Sequence, residues 1–557
     1  MKSKAKISKE IWFDILIVLL IVLFGISKSP KTLQNDTFYT VKIGELILNN
    51  GIDMQDHFSW IDLPYTYPHW LYDIIMYFIY SLGGWLGIYI STCALSAILG
   101  ITIYKVNSKL NKNQIISFLI TIGSMYLIKS YIAARAQLVT FILFVLFIYW
   151  IEKFLETKKK RYAIGMVAIS LLIANLHLAT WPFVFVLFLP YIAEYLICII
   201  TDIILYSKYL EWYYKFRIKD LNVDLKRAKE DKKISILKKI DKFEYALEQL
   251  KIREGKIKEK RESEEKYKIT MEKRKNVKWL FVVIIICALV GLLTPVGTTP
   301  YTYLYKTMQG NTTSNINEHL PLTLIKNMPL MCTFVILLAV LIFTKAKIRL
   351  CDLFMIAGLT YLTFMSKRQC TMLILIGGII LNRLIIQLFE IYDICKVEDL
   401  TNKYISKFVA FVIASLCIIW SLQYVYDTID DDYVKESSYP VKASEWILEN
   451  LDVNNIKLFN EYNFGSYLLY KGIPVFIDSR ADLYTPEFNG EKDIFSDFLN
   501  ADNTGSYYGS IFKKYEITHV LVYKDSKINM FIKNADSEKY DLLYSDDDFV
   551  IYKVINY

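Results

Sequence analysis

Histidine is scarce in this sequence, and the familiar metal-binding spacings are missing. The 557 residues contain 5 histidines and 8 cysteines, and no pair has the spacing that zinc sites use. The cysteines lie in or beside apolar stretches, and none follows Cys417. We therefore expect no disulfide framework and no cofactor, and a bound metal ion is the less favoured alternative.

Two common classes of catalytic motif are also absent. No glycine-rich loop with a lysine precedes a helix, and no serine stands in a nucleophile elbow. The net charge of +9 does not indicate a nucleic-acid partner, because most lysines fall in segments that face the cytoplasm in the topology predicted below. Nucleotide-binding loops, serine hydrolase chemistry and nucleic-acid binding are thus unsupported.

Long apolar runs dominate what is present. Mean hydropathy is +0.30 and 54% of the residues are hydrophobic, which is typical of a polytopic membrane protein with helical spans. Because basic residues cluster in alternate loops, we expect a cytoplasmic N-terminus and an extracytoplasmic C-terminal domain in the plasma membrane. About 11 spans are predicted, near 11–27, 85–104, 114–128, 137–152, 162–176, 181–205, 278–294, 329–344, 350–366, 370–388 and 405–422.

The predicted architecture is mainly α, a polytopic transmembrane helical bundle with two additions. A cytoplasmic coiled-coil insertion interrupts the bundle, and a small extracytoplasmic α/β domain follows it. The corresponding ranges are 1–205, with a first external loop at 28–84, then 206–277, 278–424 and 435–557.

The insertion is rich in lysine and glutamate and carries an apolar seam. The seam residues recur in steps of four and three, which is coiled-coil spacing, at Ile236, Ile240, Phe243, Leu247 and Leu250. Because both ends return to one membrane face, the segment either doubles back as a helical hairpin or pairs with a partner. We expect a structural role, or a cytoplasmic protein partner bound through 215–275.

Ionisable residues concentrate in the first external loop, where such groups at a membrane edge indicate a functional site. Residues 37–49 and 70–82 are predicted to form helices in the membrane interface. The loop offers Asp36, Asp53, Asp56, His57, Asp62, His69 and Asp73.

Other candidates lie where predicted spans leave the membrane on the same side. Asn175 and His177 end one span, where they either hold the next loop or contact a ligand. Arg135 and Arg368 either reach lipid headgroups or bind a lipid-linked phosphate, which the guanidinium fork suits. In the C-terminal domain, Asp478, Arg480 and Asp482 follow an expected buried strand, IPVFIDS, and form either an exposed functional group or an internal ion-pair network.

Several segments, in order, resemble the bacterial glycosyltransferase C superfamily, membrane enzymes that use polyprenyl-phosphate sugars in the manner of mannosyl- or arabinosyltransferases. NDTFYTVKIGELIL resembles the first-loop pattern, and DHFSW and PHWLYD resemble its D-x-F-S and W-L-x-acid pieces. RAQL, ANLH, TPVG and NEHLP are similar to R-P-Q-L, N-x-H, N-P-x-G and E-W-x-P. The chain departs from the family at Ala136, Thr294 and His319.

The resemblance implies a glycosyltransferase that moves a sugar from a polyprenyl-phosphate donor to a glycan or lipid acceptor at the cell surface. Asp36 matches the family's base for an inverting transfer, with Asp56 as the second catalytic candidate. Cationic groups would stabilise the leaving phosphate without a metal. The expected substrate-binding residues are His57, His69, Trp70, Arg135, Asn175, His177, Glu318 and Arg368.

Two other functions stay open at this point. One is a non-catalytic membrane scaffold of the same fold in envelope assembly, with the insertion recruiting partners. The other is a transporter of lipid-linked sugars, which paired, interrupted spans would favour.

Overall fold

The computed structural model describes residues 2–204, 207–263, 268–392, 410–504, 507–535 and 538–557. Within these ranges the chain is mainly helical. The first half contains α1 (Lys2–Ser27), α2 (Asn35–Asn50), α3 (Trp70–Asn111), α4 (Gln114–Leu127), α5 (Ala136–Thr157), α6 (Lys160–Leu176) and α7 (Phe183–Ile204).

The insertion contains α8 (Lys208–Arg227) and α9 (Glu230–Ser263). The second half of the bundle follows it, with α10 (Val277–Val290), α11 (Thr299–Gln309), α12 (Thr312–Asn315), α13 (Met328–Phe343), α14 (Leu350–Met365), α15 (Cys370–Tyr392) and α16 (Ala410–Thr428).

Each stretch predicted to span the membrane coincides with a helix, although residues 405–409 of the last one lie outside the described residues. Among the described residues, four helices are long and apolar enough to cross a membrane by length and composition, and five shorter apolar helices accompany them. The number of 11 spans stays a prediction. The four long ones are Trp70–Asn111, Ala136–Thr157, Leu178–Ile204 and Lys367–Tyr392.

A break inside α3 divides this helix at Gly84. Gly84 has φ 57° and ψ −149°, which is not helical and which a residue without a Cβ adopts at little cost. The predicted interfacial helix at 70–82 and the predicted span at 85–104 are therefore one helical element bent at Gly84.

The insertion is a pair of helices packed against each other. The Phe243 ring of α9 contacts the Tyr213 and Tyr214 rings of α8, with centroids 6.3 and 5.7 Å away. Lys208 at the start of α8 binds Glu254 in α9 at 2.8 Å. These contacts run in opposite directions along the two helices, so the chain doubles back within the insertion.

The returning end of the insertion is fixed to the bundle. Strand β1 (Ile269–Thr270) pairs in parallel with β2 (Ile348–Arg349), just before α14. Arg274 and Arg349 both bind Glu152 of α5, at 3.1 and 2.6 Å. Since a buried carboxylate needs such partners, Glu152 joins the insertion to the centre of the bundle.

The C-terminal domain is built on a four-stranded sheet. Its strands are β3 (Leu458–Asn460), β4 (His519–Tyr523), β5 (Tyr540–Ser545) and β6 (Phe549–Val554), in the spatial order β3-β4-β6-β5. β3 and β4 are parallel, whereas the other pairs are antiparallel. Around the sheet lie α17 (Val441–Asn450), α18 (Gly465–Tyr470), α19 (Pro486–Asn489), α20 (Ile494–Thr504), α21 (Tyr508–Tyr515) and α22 (Lys527–Lys533).

One strand prediction in this domain is wrong. Residues 473–479, expected as a buried strand, join no sheet, and Val475 forms only an isolated bridge to Ser59 of the first loop. The Ser59 hydroxyl also donates to the Val475 carbonyl at 3.0 Å, and Trp60 Nε1 donates to the Leu458 carbonyl at 3.0 Å. The apolar run is buried because the first external loop packs on it.

Candidate active site

A cavity of about 1110 Å³ lies where the bundle, the first external loop and the C-terminal domain meet. Its wall comes from widely separated parts of the chain, from Asn35 to Asp502. Six of the ten residues expected to bind substrate or catalyse line it, namely Asp36, His69, Arg135, His177, Glu318 and Arg368.

An arginine with two carboxylates occupies the centre of the cavity. Arg135 directly precedes α5, and its Nε lies 2.9 Å from Oδ2 of Asp36, in the first turn of α2. Its other guanidinium end binds both oxygens of Glu318, at 3.1 and 3.3 Å. Burial would lower the pKa of Arg135, but Asp36 and Glu318 raise it, so the guanidinium stays charged. Burial would likewise raise the pKa of Glu318, yet Arg135 and Arg368 lower it.

Arg368 supplies a second cation with a different environment. It lies in the short turn Lys367–Gln369 between α14 and α15, where its backbone N–H donates to the Glu318 carbonyl at 2.9 Å. Among the described residues no carboxylate comes within ion-pair distance of its guanidinium, whereas Arg135 has two. The charge of Arg135 is therefore balanced by carboxylates, whereas the charge of Arg368 is available to bind an anion.

Two histidines face each other beside Arg368. The ring centroids of His69 and His177 are 4.9 Å apart, with the planes at 60°. Burial, with the positive charges of Arg368 and Arg135, lowers the pKa of His69 to about 3. The pKa of His177 is also lowered by burial, His69 and Arg368. Both imidazoles are thus neutral at pH 7.

Trp70 and Asn175 hold the segments that carry these histidines. Trp70 Nε1 donates to Oδ1 of Asn175 at 3.2 Å. The Asn175 amide in turn donates to the carbonyls of Leu171 and Leu293, at 2.8 and 3.2 Å. These two predicted substrate-binding residues lie behind the cavity wall rather than on it.

Asp56 and His57 also lie outside the cavity wall. Asp56 accepts a bond from Arg480 NH1 at 2.6 Å and from the Ser59 backbone N–H at 2.9 Å, and its side chain is fully buried. His57 Nε2 lies 2.6 Å from Asp53 Oδ2 on the exposed side of the loop. Their predicted roles as a catalytic acid or base and as a substrate contact stay predictions.

The Asp56 contact belongs to an ion-pair network in the C-terminal domain. Arg480 Nε and NH2 donate to the two oxygens of Asp478 at 2.9 and 2.7 Å, and the Tyr484 hydroxyl donates to the same carboxylate at 2.6 Å. Asp482, in contrast, lines the cavity and accepts bonds from Tyr303 and Thr307 at 2.9 and 3.1 Å.

The sequence reading missed an acidic end of the cavity. Glu461 lines it immediately after strand β3, and Asp502 lines it from α20. Burial raises the pKa of Glu461 to about 8, although it accepts the Tyr523 backbone N–H at 3.0 Å. The available signal was its position after a buried strand, where α/β folds expose functional groups.

Comparison with known proteins bears on the fold. In sequence, no protein-family profile and no curated protein matches the chain. In structure, the chain is similar to the oligosaccharyltransferase AglB of Archaeoglobus fulgidus, solved with an inhibitory peptide and a dolichol-phosphate. The TM-score is 0.51 at 11% identity, over 92% of this chain and 70% of AglB. The two proteins share a fold.

The likeness to AglB, an oligosaccharyltransferase, extends to the fold alone. The motif resemblance therefore stays a prediction in its finer parts. At 11% identity the similarity assigns neither a substrate nor the role of any residue to this chain.

Among the described residues, no three His, Cys, Asp or Glu side chains come close enough together to hold a metal ion.

Proposed function

We propose that this protein is an integral-membrane glycosyltransferase that moves a sugar from a polyprenyl-phosphate donor to a glycan or lipid acceptor. The observation that carries the proposal is that Asp36 and Arg368 line the same cavity, while Arg368 has no carboxylate at ion-pair distance among the described residues. That cavity extends from membrane-level apolar side chains to the C-terminal domain. It can therefore receive a lipid-linked donor from one side and a polar acceptor from the other.

The apolar side of the cavity suits an isoprenoid chain. Phe141 and Phe144 of α5, Phe183 and Val186 of α7, and Met372 of α15 line it. These helices are among the long apolar ones, so this wall lies beside the hydrocarbon layer. Apolar contacts of this kind give affinity in rough proportion to the area buried.

Asp36 is the group that fits the role of base. Its carboxylate reaches the cavity, and Arg135 holds it in place at 2.9 Å. The acceptor oxygen attacks the anomeric carbon, the bond from that carbon to the phosphate oxygen breaks, and Asp36 takes the acceptor's proton. Attack on the face opposite the leaving phosphate inverts the configuration at that carbon.

Arg368 fits the role of leaving-group contact. When the glycosidic bond breaks, the phosphate keeps the bridging oxygen and its electron pair and gains negative charge. A fixed guanidinium, free of a competing carboxylate, stabilises that charge more in the transition state than in the bound donor. Glu318 assists indirectly because it neutralises Arg135.

The acceptor side is proposed from the other end of the cavity. Glu461, Asp482 and Asp502 with Tyr462 supply polar groups able to bind the hydroxyls of a sugar or of a lipid headgroup. The solved AglB structure contains a peptide as well as a lipid phosphate. That observation supports a two-substrate cavity in this fold, and the acceptor proposed here is a cell-surface glycan or lipid.

The surroundings of the enzyme are proposed on the same basis. The plasma membrane is its location, with the N-terminus in the cytoplasm and the C-terminal domain outside. The helical hairpin of the insertion then faces the cytoplasm, where 215–275 is available to a protein partner.

The test is the variant Asp36→Asn in cells that otherwise lack the protein. We expect the surface glycan to be lost as completely as in the deletion, at normal protein level, because the amide cannot take the acceptor's proton. Asp62→Asn, an exposed acid of the same loop, is the matched control and should restore the glycan. A glycan that is present with Asp36→Asn and absent in the deletion contradicts the catalytic role and favours the scaffold function.

A further inference from the structure

The facing histidines lie at the boundary between the charged and the apolar parts of the cavity. His69 directly precedes α3 and His177 directly follows α6. The Leu178 backbone N–H donates to the Pro68 carbonyl at 3.1 Å, and the Trp70–Asn175 bond joins the same two segments. Two hydrogen bonds therefore join the segments that carry the ring pair, beside the guanidinium of Arg368.

Among the described residues, the charged groups that act most on the pKa of either ring are positive. Arg135 faces it from the start of α5 and Arg368 from the turn between α14 and α15. The nearest cavity carboxylates, Asp36 and Glu318, are bonded to Arg135. Among the described residues, the polar side chain within reach of either ring is Thr140, whose hydroxyl lies 3.4 Å from His177 Nδ1. Neither imidazole has an acidic partner, and an anion entering beside Arg368 would be the first.

The two forms of the lipid carrier differ in charge. A polyprenyl-phosphate sugar is a phosphodiester with one negative charge. The released polyprenyl phosphate is a monoester whose second pKa is about 6, so it carries nearly two charges at pH 7. Arg368 matches the first charge, and the second one is left without a counter-ion beside two buried rings, where an unpaired charge is costly.

We propose that the His69–His177 pair binds one proton together with the released polyprenyl phosphate and so distinguishes the spent carrier from the loaded donor. This inference rests on the proposed function. The acceptor hydroxyl gives its proton to Asp36 during the transfer. Passage of that proton through solvent to the ring pair restores the Asp36 carboxylate and forms the imidazolium, so no further reactant is needed. A nearby negative charge favours the charged form of histidine, and the resulting cation stabilises the leaving phosphate.

The binding experiment uses the purified full-length chain in detergent with two probes, farnesyl phosphate and its methyl diester. Titration calorimetry between pH 7 and 8.5, in two buffers of different ionisation enthalpy, gives the affinity and the protons bound. We expect uptake of about one proton with the monoester and an affinity that falls about tenfold per pH unit. The diester should bind with no proton uptake and no slope, because the single charge is already matched.

The variants His69→Asn, His177→Asn and the double variant locate the proton. We expect the double variant to bind the monoester more weakly at pH 7 and with a flat pH profile. His519→Asn, in strand β4 and outside the cavity wall, is the matched control and should keep the full slope. The single variants are measured separately, so that the loss of slope can still be read if the double variant does not fold.

Two results contradict the proposal, and they have different meanings. Saturable binding with no slope in the unmodified protein, or a slope that survives in the histidine variants, overturns the proton-binding role and leaves the glycosyltransferase proposal standing. No saturable binding of either farnesyl probe overturns the lipid-phosphate site itself, and the histidine role falls with it.

Discussion

Replacement of Arg480 by methionine should release the first external loop from the C-terminal domain. Arg480 binds Asp56 and Asp478 at 2.6 and 2.7 Å, and the exposed fractions of these side chains are 3% for Arg480 and 0% for both acids. Removal of one partner from a buried ion pair leaves an uncompensated charge, which costs about 3–5 kcal/mol. Here two carboxylates lose the same cation, so we expect the upper part of that range.

Hydrogen exchange of backbone amides measures this cost locally. Bonds from the Asp56 N–H to the Leu63 carbonyl and from the Val475 N–H to the Phe58 carbonyl, at 2.9 and 3.0 Å, report on the loop and its contact with the domain. Since about 1.4 kcal/mol corresponds to a factor of ten, exchange at these amides should accelerate by roughly two to four orders of magnitude. Amides in the middle of α5 should be unaffected.

A surface ion pair in the same domain supplies the matched control. Lys457 binds Glu516, and the two side chains are 41% and 73% exposed. Lys457→Met should change exchange by less than about tenfold, because exposed pairs contribute about 1 kcal/mol or less. If Arg480→Met changes exchange no more than Lys457→Met does, the network does not hold the loop, and Asp56 regains its place as a catalytic candidate.

Two further predictions concern other parts of the site. The stability of the C-terminal domain should fall as pH rises from about 4.5 to 8, by up to about 1.4 kcal/mol per pH unit. The reason is that the folded state keeps the proton of Glu461, whose pKa is raised to about 8. Glu461→Gln should flatten this pH dependence in thermal unfolding, and an unchanged profile would contradict the prediction. Gly44→Ala should move α2 and lower both stability and transfer, because an added Cβ would lie 2.1 Å from the Asp73 carbonyl oxygen. Gly123→Ala, where nothing lies within 4 Å, should be nearly neutral; equal losses in the two alanine variants would refute the steric argument.

The sequence predicted the helices because lipid leaves the backbone no other choice. Every apolar run of spanning length became a helix, and the break at Gly84 could be read from the paired glycines. The strand predicted at 473–479 was wrong because burial alone produces the same apolar pattern as strand pairing. There the first loop, more than 400 positions earlier, covers the segment.

The sequence could predict individual charged residues of the candidate site. Asp36 was singled out by the family resemblance, and Arg135 and Arg368 by their positions at the ends of predicted spans. The structure places all three in the wall of one cavity. The sequence could not predict which residues form ion pairs with each other, because Arg135 and Glu318 are 183 positions apart. Glu461 was missed because a single acid after a short strand carries no pattern of its own.

The cavity wall begins at Asn35 and ends at Asp502, which has a consequence for biosynthesis. In the proposed topology, the helices of the first half can be inserted while the chain is being made, but the pocket is incomplete until residues 458–502 have crossed the membrane and folded against the first loop. Such long-range closure is a late and slow step in folding. A chain stopped after α16 would carry Asp36, Arg135 and Arg368 and still have no enclosed site, so an incompletely translocated protein should be inactive rather than unselective.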